Sequence, residues 1–85
     1  MAGYELIVRH SVRKDVEKIP QKDLTRILNK LEALRNDPKP AGCVKLSGSE
    51  YYRIRQGDYR IIYEVQGKVL IIVLIKIGHR REVYK

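Results

Sequence analysis

Eighty-five residues leave room for one hydrophobic core, which excludes a multidomain protein and predicts a single domain over 1–85. Lysine and arginine number 18 against 10 aspartates and glutamates, a formal net charge of +8, so the natural partner is a polyanion. A single cysteine, Cys43, excludes an intrachain disulfide and a cysteine-based zinc site. The apolar run from Val69 to Ile75 is shorter than the roughly 20 residues a membrane-spanning helix needs.

The opening YELIV alternates, with Tyr4, Leu6 and Val8 on one face, and predicts a first strand. The sequence then turns charged, which is not the pattern of a secretory leader, so a soluble cytoplasmic protein is expected. Ser11 suits the N-cap of a short helix in which Val12, Val16 and Ile19 recur at helical spacing. Pro20 separates it from a longer helix. There Leu24, Ile27, Leu28, Leu31 and Leu34 form one core-facing stripe, with Lys22, Arg26, Lys30 and Glu32 off it. NDPKPAG ends that helix, because Pro38 disfavours helix for the residue before it and Gly42 loosens the chain. Cys43 follows as a small apolar filler near a strand start.

From Val44 onward the sequence reads as strand. YYRIR, YRIIYEV and KVLIIVLIKI are separated by QGD and QG, short turn signals for consecutive hairpins. The last of them is apolar on both faces and predicts a central strand. The predicted fold class is α+β: an N-terminal strand and a helical hairpin packed on one face of a small antiparallel sheet.

In YYRIRQGDYRIIYEV, Tyr52 and Ile54 point one way and Arg53 and Arg55 the other. On the next strand Tyr59, Ile61, Tyr63 and Val65 share a face opposite Arg60, Ile62 and Glu64. Pairing must bring the apolar sets together. A two-residue connection, Gln56-Gly57, does so and predicts Arg55 across from Asp58 and Arg53 across from Arg60. Arg53, Arg55 and Arg60 then lie together on the polar sheet face. Like charges so placed destabilise a sheet, and two readings stay open: a solvated face whose side chains splay apart, or an anion site. Arginine suits the second, since its planar fork donates two parallel hydrogen bonds to phosphate.

The tail, IGHRREVYK, adds His79, Arg80, Arg81 and Tyr84. If it returns beside the hairpin, Arg80 or Arg81 joins the cluster and Tyr84 offers a ring for base stacking. The plainer alternatives are a turn histidine at His79 and a tyrosine packing the C-terminus at Tyr84.

These residues carry a resemblance. KLSG at 45–48, YYRIRQGDYRIIYEV at 51–65 and IGHRREVY at 77–84 make the chain similar, over essentially its whole length, to the RelE/ParE toxin superfamily of bacterial and archaeal toxin–antitoxin systems. The resemblance implies a microbial-RNase-like fold and the toxin of a type II toxin–antitoxin system. Its implied activity is a ribosome-dependent, metal-independent mRNA endoribonuclease without cofactor. The 2′-OH attacks the adjacent phosphate, leaves a 2′,3′-cyclic phosphate and stops translation. Implied partners are a RelB-like antitoxin that neutralises the toxin and co-represses its operon, and the ribosome with its A-site message. No membrane and no small-molecule substrate are expected.

Carried onto matching positions, Arg53 and Arg55 take the basic pair on the sheet and Arg60 the phosphate-binding arginine. Arg80 takes the residue that stabilises the transition state or assists the leaving group, and Tyr84 the tyrosine that stacks on a base. Arg81 and Lys45 are further RNA-binding candidates. Relatives carry lysines where this chain has Arg53 and Arg55, and arginine is a poor general base. His79 or Lys45 is therefore a candidate for proton transfer, or orientation and charge stabilisation carry the reaction. Two alternatives come with the resemblance: a ParE-like gyrase poison, and an inactive regulatory module that binds RNA or protein.

Overall fold

The computed structural model describes residues 3–46, 48 and 50–79. The chain forms β1 (Glu5–Val8), α1 (His10–Glu17), α2 (Gln21–Asn36), β2 (Val44–Lys45), β3 (Tyr51–Gln56), β4 (Tyr59–Gln66) and β5 (Ile71–His79). The strands make one sheet in the order β1-β5-β4-β3-β2. Two helices on one face of a largely antiparallel sheet is the α+β architecture expected. The exception is β1, which runs parallel to β5, with Leu6 opposite Ile72 and Val8 opposite Leu74.

Alternation decides which face is buried. Tyr52 and Ile54 on β3, Ile61, Tyr63 and Val65 on β4, and Ile72, Leu74 and Ile77 on β5 meet Val12, Ile19, Ile27, Leu31 and Leu34 from the helical segment. We call this the helix-side face and its reverse the outer face. The phase changes within β5: Ile62 pairs Lys76 but Tyr63 pairs Leu74, so Ile75 is an extra residue. Such a bulge turns the odd-numbered residues after it, Ile77 and His79, toward the helix side.

Polar contacts tie the layers together. The Tyr63 hydroxyl donates to the Pro38 carbonyl at 2.7 Å, and its ring stacks on that of Tyr52 at 5.9 Å. Arg35 Nε donates to the Tyr4 carbonyl at 2.9 Å, while the Arg35 carbonyl accepts from the Gly3 and Tyr4 amides. This joins the end of α2 to the start of β1. Beyond β1 the edge of β5 is met by α1: Asp15 accepts the Ile77 amide at 3.4 Å and pairs with Lys76 at 3.5 Å. A carboxylate on an exposed N–H blunts a strand edge that would otherwise recruit another strand.

Four sequence expectations need correction. α1 starts at His10 with Arg9 as N-cap and no capping side-chain bond, so Ser11 lies in its first turn. Leu28 is 51% exposed and leaves the apolar stripe, having no layer to pack on. The connection between β4 and β5 is longer than QG, because Val69 and Leu70 stay in the turn and β5 begins at Ile71. Leu70 takes a positive φ of 56° while its carbonyl accepts the Glu5 amide at 2.9 Å, which brings β1 into line with β5.

The fourth concerns the arginine hairpin. Its loop is Gly57-Asp58, and Gln56 pairs with Tyr59. Gly57 has a φ of 61° and Asp58 an ordinary one, the sign pattern of a type II′ turn with glycine at its first central position. The apolar faces still meet, since this register differs from the expected one by an even number of residues. The partners change: Arg55 faces Arg60, and Arg53 faces Ile62.

Burial pushes the Tyr63 phenol far above its ordinary value. A raised folded-state pKa means stability complete below the unfolded value, about 10, and lost as pH rises beyond it. Tyr63→Phe is therefore expected to cost about 1 kcal/mol at neutral pH through the lost hydrogen bond. Above about pH 10 its stability should fall less steeply than that of the parent chain. Urea denaturation at neutral and alkaline pH checks both.

Candidate nucleic-acid interface

Cross-strand partners share a face, so the registers lay out the outer face in rows. One row is Arg55, Arg60 and Gly78. The next is Val44, Arg53, Ile62 and Lys76, and beyond it come Tyr51, Glu64 and Val73. Three arginines thus stand together at the end of the sheet that holds the Gly57-Asp58 turn. Arg55 is exposed, Arg53 half-buried, and Arg60, on the middle strand, only 4% exposed. Gly78 presents no side chain beside Arg60.

Opposed guanidinium groups repel, and an enclosed one costs free energy unless polar groups meet it. Glu64, the acid on the outer face of β4, lies four residues from Arg60, about 13 Å along the strand. Arg55 and Arg60 thus share one row on neighbouring strands, the first exposed and the second enclosed, and guanidinium forks suit a tetrahedral anion.

Neither proton-transfer candidate stands with them. His79 pairs with Tyr59 on the helix-side face, its ring edge-on to that of Tyr59 at 5.5 Å. Both line a pocket of about 50 Å³ with Asp15 and Lys18 of the α1 segment. Lys45 pairs with Tyr52 and projects to the helix side as well. Arg80, Arg81 and Tyr84 lie outside the described residues. Sequence reasoning put Glu64 on this face without a role and did not place Tyr51, although the same alternation that aligned Arg53 and Arg55 sets Tyr51 beside them.

If opposed charge strains this row, Arg55→Gln should stabilise the folded chain by about 0.3 kcal/mol at low salt, and the gain should fade as salt screens exposed charge. Arg53→Gln, facing Ile62, should give no such gain. Thermal melts across a salt series compare the two.

The model of the ParE toxin of type II toxin–antitoxin systems, parDE, matches residues 6–84. The chain is 31% identical to a curated protein of Methanocaldococcus jannaschii named as a toxin, RelE1, over 96% of each chain. Among solved structures it resembles the archaeal RelE–RelB complex from Pyrococcus horikoshii, with a TM-score of 0.81 and 28% identity over 94% of this chain and 98% of that one. It also resembles the RelB–RelE antitoxin–toxin complex from Methanococcus jannaschii, with a TM-score of 0.74 and 30% identity over 92% and 94%. The isolated E. coli RelE toxin matches with a TM-score of 0.79 and 26% identity over 95% and 90%.

Proposed function

The chain belongs to the RelE/ParE toxin superfamily of type II toxin–antitoxin systems, and on that premise we propose that it is a ribosome-dependent mRNA endoribonuclease of the RelE kind. The observation that carries the reading is the outer-face row of Arg55 and Arg60 with Arg53 beside it. Guanidinium groups gathered on neighbouring strands match the charge of an RNA phosphodiester and its paired acceptor oxygens.

In the proposed reaction the ribose 2′-oxygen forms a bond to the adjacent phosphorus as the bond to the 5′-oxygen breaks. The 2′-OH proton leaves to solvent or a ribosomal acceptor, and the departing 5′-oxygen takes one up. The nucleophile is the substrate's own hydroxyl, so the scheme uses no metal or cofactor. Charge accumulates on the phosphoryl oxygens in the transition state, where fixed guanidinium donors act most strongly. Because His79 and Lys45 face the helix side, the proposal rests on orientation and charge stabilisation rather than on either as base. His79→Ala is accordingly expected to leave cleavage within a few-fold of the parent rate. Arg80 for the transition state or leaving group, Tyr84 for base stacking and Arg81 for RNA contact join the scheme by sequence position.

The proposed partners are a RelB-like antitoxin, as in the relatives crystallised as RelE–RelB complexes, and the ribosome with its A-site message. Among the described residues no helix is long and apolar enough to cross a membrane, and a cytoplasmic site of action accords with a ribosomal target. A gyrase-poisoning role is the second reading, favoured by one observation: the matching family model is that of ParE. An inactive regulatory module is the third, suggested by arginines where relatives carry lysines.

Primer-extension mapping on translating ribosomes tests the proposal. Cuts should fall within the A-site codon and leave cyclic-phosphate ends. Arg60→Ala and the milder Arg55→Gln should each slow cleavage, the former by at least about a hundredfold, the scale of losing one preorganised donor. Circular dichroism confirms that each variant is folded. DNA breaks with intact messages would instead establish the gyrase reading, and a harmless chain the regulatory one.

A further inference from the structure

The outer face does not end at the arginines. We propose that Tyr51 and Glu64 form a base-binding subsite, one row beyond Arg53, for a nucleobase bearing an exocyclic amino group, cytosine in preference to uracil. The inference rests on the RNA reading of the same face and adds to it a place where sequence is read.

The register makes Tyr51 and Glu64 direct cross-strand partners on the outer face, both half-buried. Tyr52 sends its ring into the core against Tyr63, so the adjacent Tyr51 must send its own to the opposite side. Tyr51 is two residues from Arg53, about 7 Å by the rise of a strand, close to one nucleotide step along an extended single strand. A ring at that distance is placed to stack on the base next to a phosphate held by the arginines. Across from it stands a carboxylate rather than another apolar group. One oxygen of Glu64 accepts the Gln66 amide at 3.0 Å, which fixes its orientation.

Glu64 carries negative charge, so it repels a backbone phosphate and accepts hydrogen bonds. What it selects is a base edge that donates. The amino group of cytosine does so, and the corresponding oxygen of uracil is repelled. Beyond Glu64 a depression of about 540 Å³, lined also by Glu50, Gln66 and Lys68, runs around the sheet end to Tyr4 and Lys39 on the helix side. Stacking on Tyr51 and an acceptor from Glu64 together specify a base; neither alone distinguishes a base from a ring-bearing side chain.

Fluorescence anisotropy with single-stranded RNA heptamers, 2′-O-methylated to block cleavage and differing by cytosine or uracil at one position, tests this. The parent chain should prefer cytosine at one position. Glu64→Gln should abolish that preference while changing overall affinity little. Tyr51→Ala should weaken binding about tenfold, within the range for losing one base stack, and Tyr51→Phe should restore it. Thermal melts establish that the variants are folded. If Tyr51→Ala binds like the parent while Arg55→Gln and Arg60→Ala do not, the subsite is wrong and the arginine site stands. If no variant matters, or the parent does not bind, the subsite is wrong, and the cleavage mapping on translating ribosomes separately decides the RNA reading. If Tyr51→Ala weakens binding of an antitoxin peptide and leaves RNA untouched, the surface belongs to a protein partner and the proposal is overturned.

Discussion

Arg55 stands directly across from Arg60, and the candidate surface is organised around that pairing. A sheet normally sets opposite charges or apolar pairs face to face. Here it holds two guanidinium groups together, one of them on the middle strand and almost fully enclosed. The core on the reverse face makes this possible. Tyr52, Ile54, Ile61 and Tyr63 lock β3 to β4 through packing against α2, so the strands cannot slide to separate the charges without exposing that core.

The helix side and the outer face thus divide the labour. Burial of the tyrosine stack, its bond to Pro38 and the tie from Arg35 to β1 fix the sheet rigidly. Rigidity matters for a site whose proposed contribution is orientation, because a fork held in place loses little freedom when it grips a phosphate. Asp15 performs a related service at the edge: it satisfies an amide of β5 next to Gly78, the residue that flanks Arg60. The strand end is held from the helix side, and on the outer face Gly78 lies beside the enclosed Arg60.

Much of the site was legible because side-chain alternation along a strand survives any shift by two residues. Arg53, Arg55 and Arg60 share a face in the expected register and in the observed one. The register itself was misread by two residues because glycine was placed second in the turn, where the type II′ geometry needs it first. The direction of His79 has another cause. The bulge at Ile75 reverses the phase of β5, so a histidine that plain alternation would have sent to the arginines faces α1 instead. Nothing in KVLIIVLIKI distinguishes the one isoleucine that the ladder skips.

Composition, turn chemistry and apolar spacing by themselves determined a small cationic α+β domain with a helical pair, a meander and one arginine-bearing face. These are local properties, set by the 3.6-residue and two-residue periods of the backbone and by proline and glycine at the breaks. The tertiary structure alone decided which arginine meets which, that β1 runs parallel to β5, that Leu28 is left outside, and that His79 and Lys45 turn away from the arginine face. Each of those depends on pairing between segments distant in sequence, where contacts across the whole core outweigh the preference of any single stretch.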